Sequence, residues 1–266
     1  MNDSSTTLIK EPIYFNTTGK WYTGKLPSFY DVSKLDSTEI LEKNYSVIKE
    51  EILNFFEKHP NVIKPNYAPN GNNYKNEGWK NLSLYSFMIK HPHNIKYFPH
   101  LTKIVESIPN MITAQVVVLE PKTRVKAHFG ETNALVRSHL GIVIPGKYPE
   151  LGFRNKSEER CWEEGKVLAI CTSHRHYVWN NTDRKRIILL VDTIHTDYIK
   201  NKYFIGTGIL SSSTMKILVM KFPFTKKFPN WLVNFLHKLI MIPWAFVLLL
   251  QNKFNMPLTS LLLKLK

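Results

Sequence analysis

The sequence predicts a mainly β fold, a sandwich or barrel for which a jelly roll fits best, with flanking N-terminal helices and an apolar C-terminal helical tail. Three observations predict it. From Met111 onward short apolar runs recur every roughly eight to twelve residues with turn residues between them. Helical spacing is confined to the stretches before that point and to the tail. Imidazoles fall at the ends of runs far apart in sequence, and a jelly roll lets two such groups face one cavity.

Residues 1–110 read as a helical and irregular support region. Met1 to Phe29 mixes Gly, Pro, Thr and Asn with scattered aromatics, which predicts an irregular segment packed over the core. Asp36 or Ser37 then caps a helix running to about His59, with Leu41, Tyr45, Ile48, Ile52, Phe55 and Phe56 at helical spacing and Pro60 ending it. Pro65 to Gly78 is turn-rich and polar, either a lid over a site or plain surface loop. Trp79 to Lys90 alternates as a strand does, and a short helix follows over Pro99 to Ser107.

Residues 111–200 read as the catalytic core. Strands are expected at Met111–Glu120, Val125–His128, Leu135–Ile144, Leu151–Arg154, Lys166–Cys171, Tyr177–Asn180 and Arg186–Asp192. Residues 201–230 read as a linker and 231–266 as a membrane-associated tail. Trp231 to Leu250 is apolar but interrupted by Asn234, His237, Lys238 and Pro243, so it meets the ~20-residue span of a bilayer only marginally and also suits an interfacial helix. The last residues, LTSLLLKLK, have the same apolar and basic character.

The formal charge is +15, and its distribution narrows its meaning. From Lys221 to Lys266 there are seven Lys and no Asp or Glu, so nearly half the excess lies on the apolar tail. That points to an anionic membrane surface and away from nucleic acid, for which no zinc finger, RNP motif or recognition helix is visible. Two cysteines, Cys161 and Cys171, form no disulfide framework and no metal motif. The first twelve residues lack an apolar signal-peptide core, and the expectation is a membrane-associated protein whose catalytic domain is cytoplasmic.

Between Val125 and His195 four imidazoles (His128, His139, His174, His176) and two guanidiniums (Arg137, Arg186) stand beside small or turn-forming residues. Imidazole suits iron, copper, zinc or nickel. Taken singly, each has an ordinary reading: a satisfied core or surface histidine, a surface charge for Arg137, a salt bridge to Asp183 or Asp192 for Arg186. His174 and His176 would share a face on a strand, so spacing does not separate them. The WEEGK segment reads as structural, with Trp162 packing, or else with Glu163 or Glu164 fixing an arginine; Asn133 reads as making local backbone hydrogen bonds.

Their order says more. HFGETNALVRSHLGIVIP, CWEEGKVLAI and HYVWNNTDRKRIILLVD, in that sequence and spacing across Ala114 to His195, resemble the catalytic domain of the aspartyl/asparaginyl β-hydroxylase family. The resemblance implies a cupin-like double-stranded β-helix and an enzyme, a dioxygenase that uses Fe(II), with 2-oxoglutarate and O2 as cosubstrates, to hydroxylate an unactivated C–H bond, releasing succinate and CO2. It implies His128 and His176 as metal ligands, with Gly130 where related oxygenases carry a carboxylate and water in the vacated position. It implies Arg186, ten residues after His176, as the clamp on the distal carboxylate of 2-oxoglutarate, a task for which a planar guanidinium is suited. Arg137 and His139, on one face of a strand, would contact or orient the cosubstrate. Glu131 and Asp183 are the acids a departure from the family would call on. This chain differs from the family in Cys171-Thr172-Ser173 before the second histidine and in Val116-Val117-Val118, which offers no hydroxyl. The resemblance implies as substrate an aspartyl or asparaginyl side chain, or the acyl chain of a lipid of the lipid A or ornithine lipid type, as in relatives that hydroxylate lipids. A non-catalytic β-helix binding protein is the third reading, against which intact His128, His176 and Arg186 speak.

Overall fold

The computed structural model describes residues 11–17, 21–59, 64–66 and 76–254; most of the expected lid at Pro65–Gly78 and the terminal LTSLLLKLK lie outside the described residues. Helix α1 (Asp36–Lys43) and helix α2 (Tyr45–Lys58) occupy the first helical stretch. They are two helices broken at Asn44, not one, and no side chain caps α1, whose N-cap position is Leu35. Strands β1 (Lys64–Asn66), β2 (Asn76–Ser86) and β3 (Ile89–Lys90) follow, then the one-turn helix α3 (Pro92–Ile95) and helix α4 (Pro99–Glu106).

The β region holds β4 (Met111–Leu119), β5 (Thr123–His128), β6 (Leu135–Val143), β7 (Leu151–Asn155), β8 (Glu158–Arg160), β9 (Val167–Ile170), β10 (His176–Asn180) and β11 (Arg186–Ile194). They form two antiparallel sheets. The larger runs β1-β2-β4-β11-β6-β9 with β3 on β2; the smaller runs β5-β10-β7-β8. No strand pairing joins the two sheets among the described residues, so each keeps its edges and neither closes.

This corrects the expected fold class. Of the described residues 41% are helical and 29% strand, a mixed α/β architecture with two open antiparallel sheets rather than a mainly β, closed double-stranded β-helix. The strands were legible because they alternate; the helices were underweighted because they looked like appendages. They are a layer of the domain. Leu41, Ile48, Ile52 and Phe55 on α1 and α2 pack with Leu101 and Val105 of α4 against Leu82, Val116, Val118, Ile187, Leu189 and Val191 of the large sheet. The residues between these on the same strands, Val117, Leu119, Ile188 and Leu190, face Val125, Leu151, Phe153 and Val178 of the small sheet. Period-two alternation thus sends successive side chains into two different cores. This is why β4 and β11 read as unbroken apolar runs.

Residues 201–230, expected as a linker, contain helix α5 (Lys202–Lys221), which buries Ile205, Ile209 and Leu210 along with Gly206, Gly208, Ser211 and Ser212. Its small residues let neighbours approach: the Phe15 ring lies where a Cβ on Gly208 would be, 2.3 Å away. Helix α6 (Asn230–Phe254) packs on α5, where Ser211 Oγ donates to the His237 carbonyl at 2.7 Å and Trp244 Nε1 donates to Thr214 Oγ1 at 2.9 Å. Its far end is fastened to the β2–β3 turn, where Gln251 Nε2 donates to the Met88 carbonyl at 2.8 Å and Gln251 Oε1 accepts from the Lys90 backbone N–H at 3.0 Å. That turn holds Phe87 and Met88 at positive φ, 50° and 75°, the backbone a tight hairpin needs but bulky residues rarely adopt.

Both C-terminal helices are long and apolar enough to cross a membrane by length and composition, consistent with membrane association. They differ in burial. The apolar window of α5 is 44% buried within the protein and that of α6 only 11%. Any bilayer contact falls mainly on α6.

Candidate active site

His128 ends β5 and His176 begins β10, and the two residues are direct antiparallel partners. The ladder slips between His176 and Val178, a bulge of the kind that re-aims a side chain. Their ring centroids lie 4.3 Å apart at 58°. Each Nδ1 sits 2.8 Å from a backbone carbonyl two residues earlier, Lys126 for His128 and His174 for His176. A carbonyl only accepts, so each Nδ1 carries the proton and each Nε2 carries a lone pair. That is the form a metal ligand takes, with its tautomer fixed by the outer hydrogen bond. Burial pushes the His128 pKa down to about 4 and the His176 pKa well below the usual histidine range, so both rings are neutral at physiological pH. Phe153 stacks nearly parallel on His176, at 5.5 Å and 11°, and Trp79 lies against His128.

Arg186 opens β11 and is 2% exposed. Its guanidinium lies 4.6 Å from the centre of the Trp162 ring. Nε and Nη1 have no hydrogen-bond partner among the described residues, and no carboxylate pairs with this charge. Burial lowers its pKa to about 9, which leaves it charged at physiological pH. Burying such donors unanswered is costly, and native structures rarely do so without a reason. His139 on β6 has the opposite tautomer to the other two histidines. Its Nδ1 accepts from Trp162 Nε1 at 3.2 Å, so the proton sits on Nε2, which is buried and also lacks a partner. Burial, with the charges of Arg137 and Arg186, holds His139 neutral. A buried guanidinium and an imidazole N–H, both against Trp162, form a donor set suited to a carboxylate.

The residues therefore fit the group that the family resemblance implies: two imidazole lone pairs for a metal, and unanswered donors for a carboxylate cosubstrate. Among the described residues no group of three or more His, Cys, Asp or Glu is arranged to hold a metal ion, so the imidazole pair has no third partner of these types. Gly130 shows why. Its N–H donates to the Thr172 carbonyl at 2.7 Å, and a Cβ there would come within 2.5 Å of Thr172 Oγ1 and 2.9 Å of that carbonyl oxygen. The position has no room for a carboxylate-bearing side chain.

The other candidates have different partners. Arg137 is held by Asp192, its Nε 2.7 Å from Oδ1 and its Nη2 2.9 Å from Oδ2, across paired strands. The ion-pair partner that an ordinary reading gave to Arg186 thus belongs to Arg137. Asp183 is exposed and pairs with Lys122 at 2.9 Å. Glu131 binds Lys216 of α5 at 2.6 Å. His174 lies before β10 rather than on it, and its Nε2 donates to the Leu26 carbonyl at 2.8 Å. Glu164 accepts from the Ile144 N–H and pairs with Lys49. Asn133 bonds with Pro12 and Tyr14, far away in sequence, rather than locally. Trp162 is the residue that sequence reasoning missed, since packing was the only role its motif signalled.

A cavity of about 540 Å³ opens beside His128, between Ala127–Phe129 and the α5–α6 hairpin. Of the four residues His128, His139, His176 and Arg186, His128 alone is on its wall.

The Aspartyl/Asparaginyl beta-hydroxylase family matches residues 42–196, more than half of the chain. The ornithine lipid ester-linked acyl 2-hydroxylase of Rhizobium tropici is 30% identical over 172 residues, covering 63% of this chain and 60% of that protein. The human aspartyl/asparaginyl beta-hydroxylase is 29% identical over 183 residues, covering 66% of this chain and 23% of that protein. Aspartate beta-hydroxylase domain-containing protein 2 of Xenopus tropicalis is 28% identical over 184 residues, covering 64% of this chain and 47% of that protein. The chain thus spans less than two thirds of these relatives, and His128, His139, His176 and Arg186 all fall within the residues that match the family. On the extent of that match, the chain belongs to the aspartyl/asparaginyl β-hydroxylase family.

Proposed function

We propose that the chain is an Fe(II)- and 2-oxoglutarate-dependent dioxygenase that hydroxylates an unactivated C–H bond. One observation carries the reading. His128 and His176 present Nε2 lone pairs side by side, while the buried Arg186 and His139 present N–H donors with no partner. The unanswered Arg186 donors call for an anionic ligand, and the paired imidazole lone pairs beside it call for a metal, which a simple anion-binding protein would not need.

His128 and His176 would hold the metal, and Arg186 with His139 would take a carboxylate of 2-oxoglutarate. Once bound, iron with 2-oxoglutarate and O2 supplies the oxidising power for inserting one oxygen atom into C–H. The chain's own part is positioning and exclusion. The Lys126 and His174 carbonyls fix the ligand tautomers. Trp162 holds His139 as a donor and supports the Arg186 face. Phe153 packs against His176, His139 and Trp162 and keeps water from between them. Arg137, neutralised by Asp192, ties the strand pair beneath and would orient the cosubstrate rather than grip it.

Two substrate classes follow from the relatives' names, an aspartyl or asparaginyl side chain and a lipid acyl chain. The exposed apolar face of α6 favours the second, with the core at the membrane surface. Mass spectrometry of lipids from cells with and without the gene tests it. Acyl chains one oxygen heavier, present only with the gene, support lipid hydroxylation. An unchanged lipidome with an oxygen added to aspartyl peptides returns the reading to the peptide class.

A further inference from the structure

The cavity beside His128 has two unlike sides. One is the rim of the candidate active site, Ala127 to Phe129. The other is built by the C-terminal hairpin, with Met215 and Val219 of α5 and Val233, Leu236 and Ile240 of α6. Its volume of about 540 Å³ falls in the range of small-molecule sites, about 300–1,000 Å³. Its polar wall residues include Asn16, Thr17 and Asn230 as well as Lys216, which is already paired with the acidic neighbour Glu131.

Helix α6 is apolar on two faces. Trp231, Phe235, Leu239, Ile242, Phe246 and Leu249 recur at steps of three and four and are each at least half exposed. They form one stripe with no partner among the described residues. Val233, Leu236 and Ile240 face the other way, into the cavity. A wall that is apolar inside and outside separates two apolar media. The outer one has the chemistry of bilayer hydrocarbon, flanked by Lys221, Lys226 and Lys227 in a tail free of acids, as an anionic membrane surface requires. Lys226 also lines the cavity, which sets a cation at the same edge where the headgroups would lie.

We propose that this cavity is an acyl-chain channel: a single hydrocarbon chain of an anionic membrane lipid leaves the bilayer beside α6 and lies between α5 and α6, one of its methylenes against His128. The C-terminal hairpin is then a wall of the substrate site as well as an attachment. Leu236 and Val233 set how much chain the channel admits. This rests on the hydroxylase reading for its purpose, but its test needs neither iron nor 2-oxoglutarate.

The full chain, metal-free, is reconstituted in vesicles of phosphatidylglycerol and phosphatidylcholine whose acyl chains carry a photoreactive diazirine, then illuminated and mapped by peptide mass spectrometry. Adducts on Met215, Val219, Val233 or Leu236 are expected in addition to those on the outer stripe. Leu236→Trp fills the channel, and adducts on the inner residues fall about tenfold, as expected when a few methylenes lose their seat. Phe246→Trp on the outer stripe leaves the inner adducts unchanged. Adducts confined to the outer stripe of the unsubstituted chain overturn the proposal whether or not any variant folds, as do inner adducts indifferent to Leu236→Trp. Loss of iron binding would sink the hydroxylase reading and leave this adduct map as it is, so the two failures are distinct.

Discussion

Trp162 Nε1 donates to His139 Nδ1 at 3.2 Å, and this one hydrogen bond gives His139 the tautomer opposite to those of His128 and His176. Three neutral imidazoles are thereby sorted into two lone-pair carriers and one donor. Trp162→Phe keeps the ring packing against Phe153 and removes the donor. We expect ring ¹⁵N spectra to show His139 sampling both tautomers. Affinity for 2-oxoglutarate should fall about tenfold, the worth of one good hydrogen bond, with iron binding unchanged.

Arg186 is held at a cost to stability that an anion would repay. Arg186→Met replaces a buried, unanswered charge with an apolar chain of similar length. The melting temperature should hold or rise. Binding of 2-oxoglutarate, followed by calorimetry, should weaken about a hundredfold, near the worth of two charge-assisted hydrogen bonds. A clear drop in melting temperature would mean that Arg186 is a structural residue.

Arg137 makes the contrasting case. Asp192 is fully buried and its partner is this one guanidinium among the ion pairs described. Arg137→Met should destabilise the fold by about 3–5 kcal/mol, because it strands a buried carboxylate. The double variant Arg137→Met, Asp192→Leu should recover most of that in chemical denaturation. If the single variant were as stable as the parent and lost only cosubstrate affinity, Arg137 would be a direct binding residue.

Gly130→Ala drives a Cβ to 2.5 Å from Thr172 Oγ1. It should destabilise by about 1–3 kcal/mol, as overpacking does, with partial relief from Thr172→Ala. Gly130→Asp should not raise iron affinity, since the missing carboxylate has nowhere to sit.

Much of the β region was legible because strand residues alternate and turns punctuate them. β5, β7 and β10 fall within about a residue or two of where the runs of Val125, Leu151 and Tyr177 put them. Closure of the sheets was not legible, because edges depend on which strands pair and not on any run by itself. Nor was α5. Gly206, Gly208, Ser211 and Ser212 weaken helical propensity and look like a linker, yet they are the residues that let Phe15 and α6 come close. At the site, the order of motifs pointed to His128, His139, His176 and Arg186. The sequence could not divide Asp192 between two arginines, nor separate His174 from His176. Those choices turn on strand register and on the Leu26 carbonyl, which lies 148 residues away from His174.

The central claim is that His128 and His176 are the metal pair, and anaerobic Fe(II) titration of the full chain tests it most directly. The account predicts one iron per chain, lost in His128→Ala and in His176→Ala but kept in His174→Ala, whose ring is committed to the Leu26 carbonyl. One iron per chain retained in both His128→Ala and His176→Ala, or lost only in His174→Ala, would contradict it.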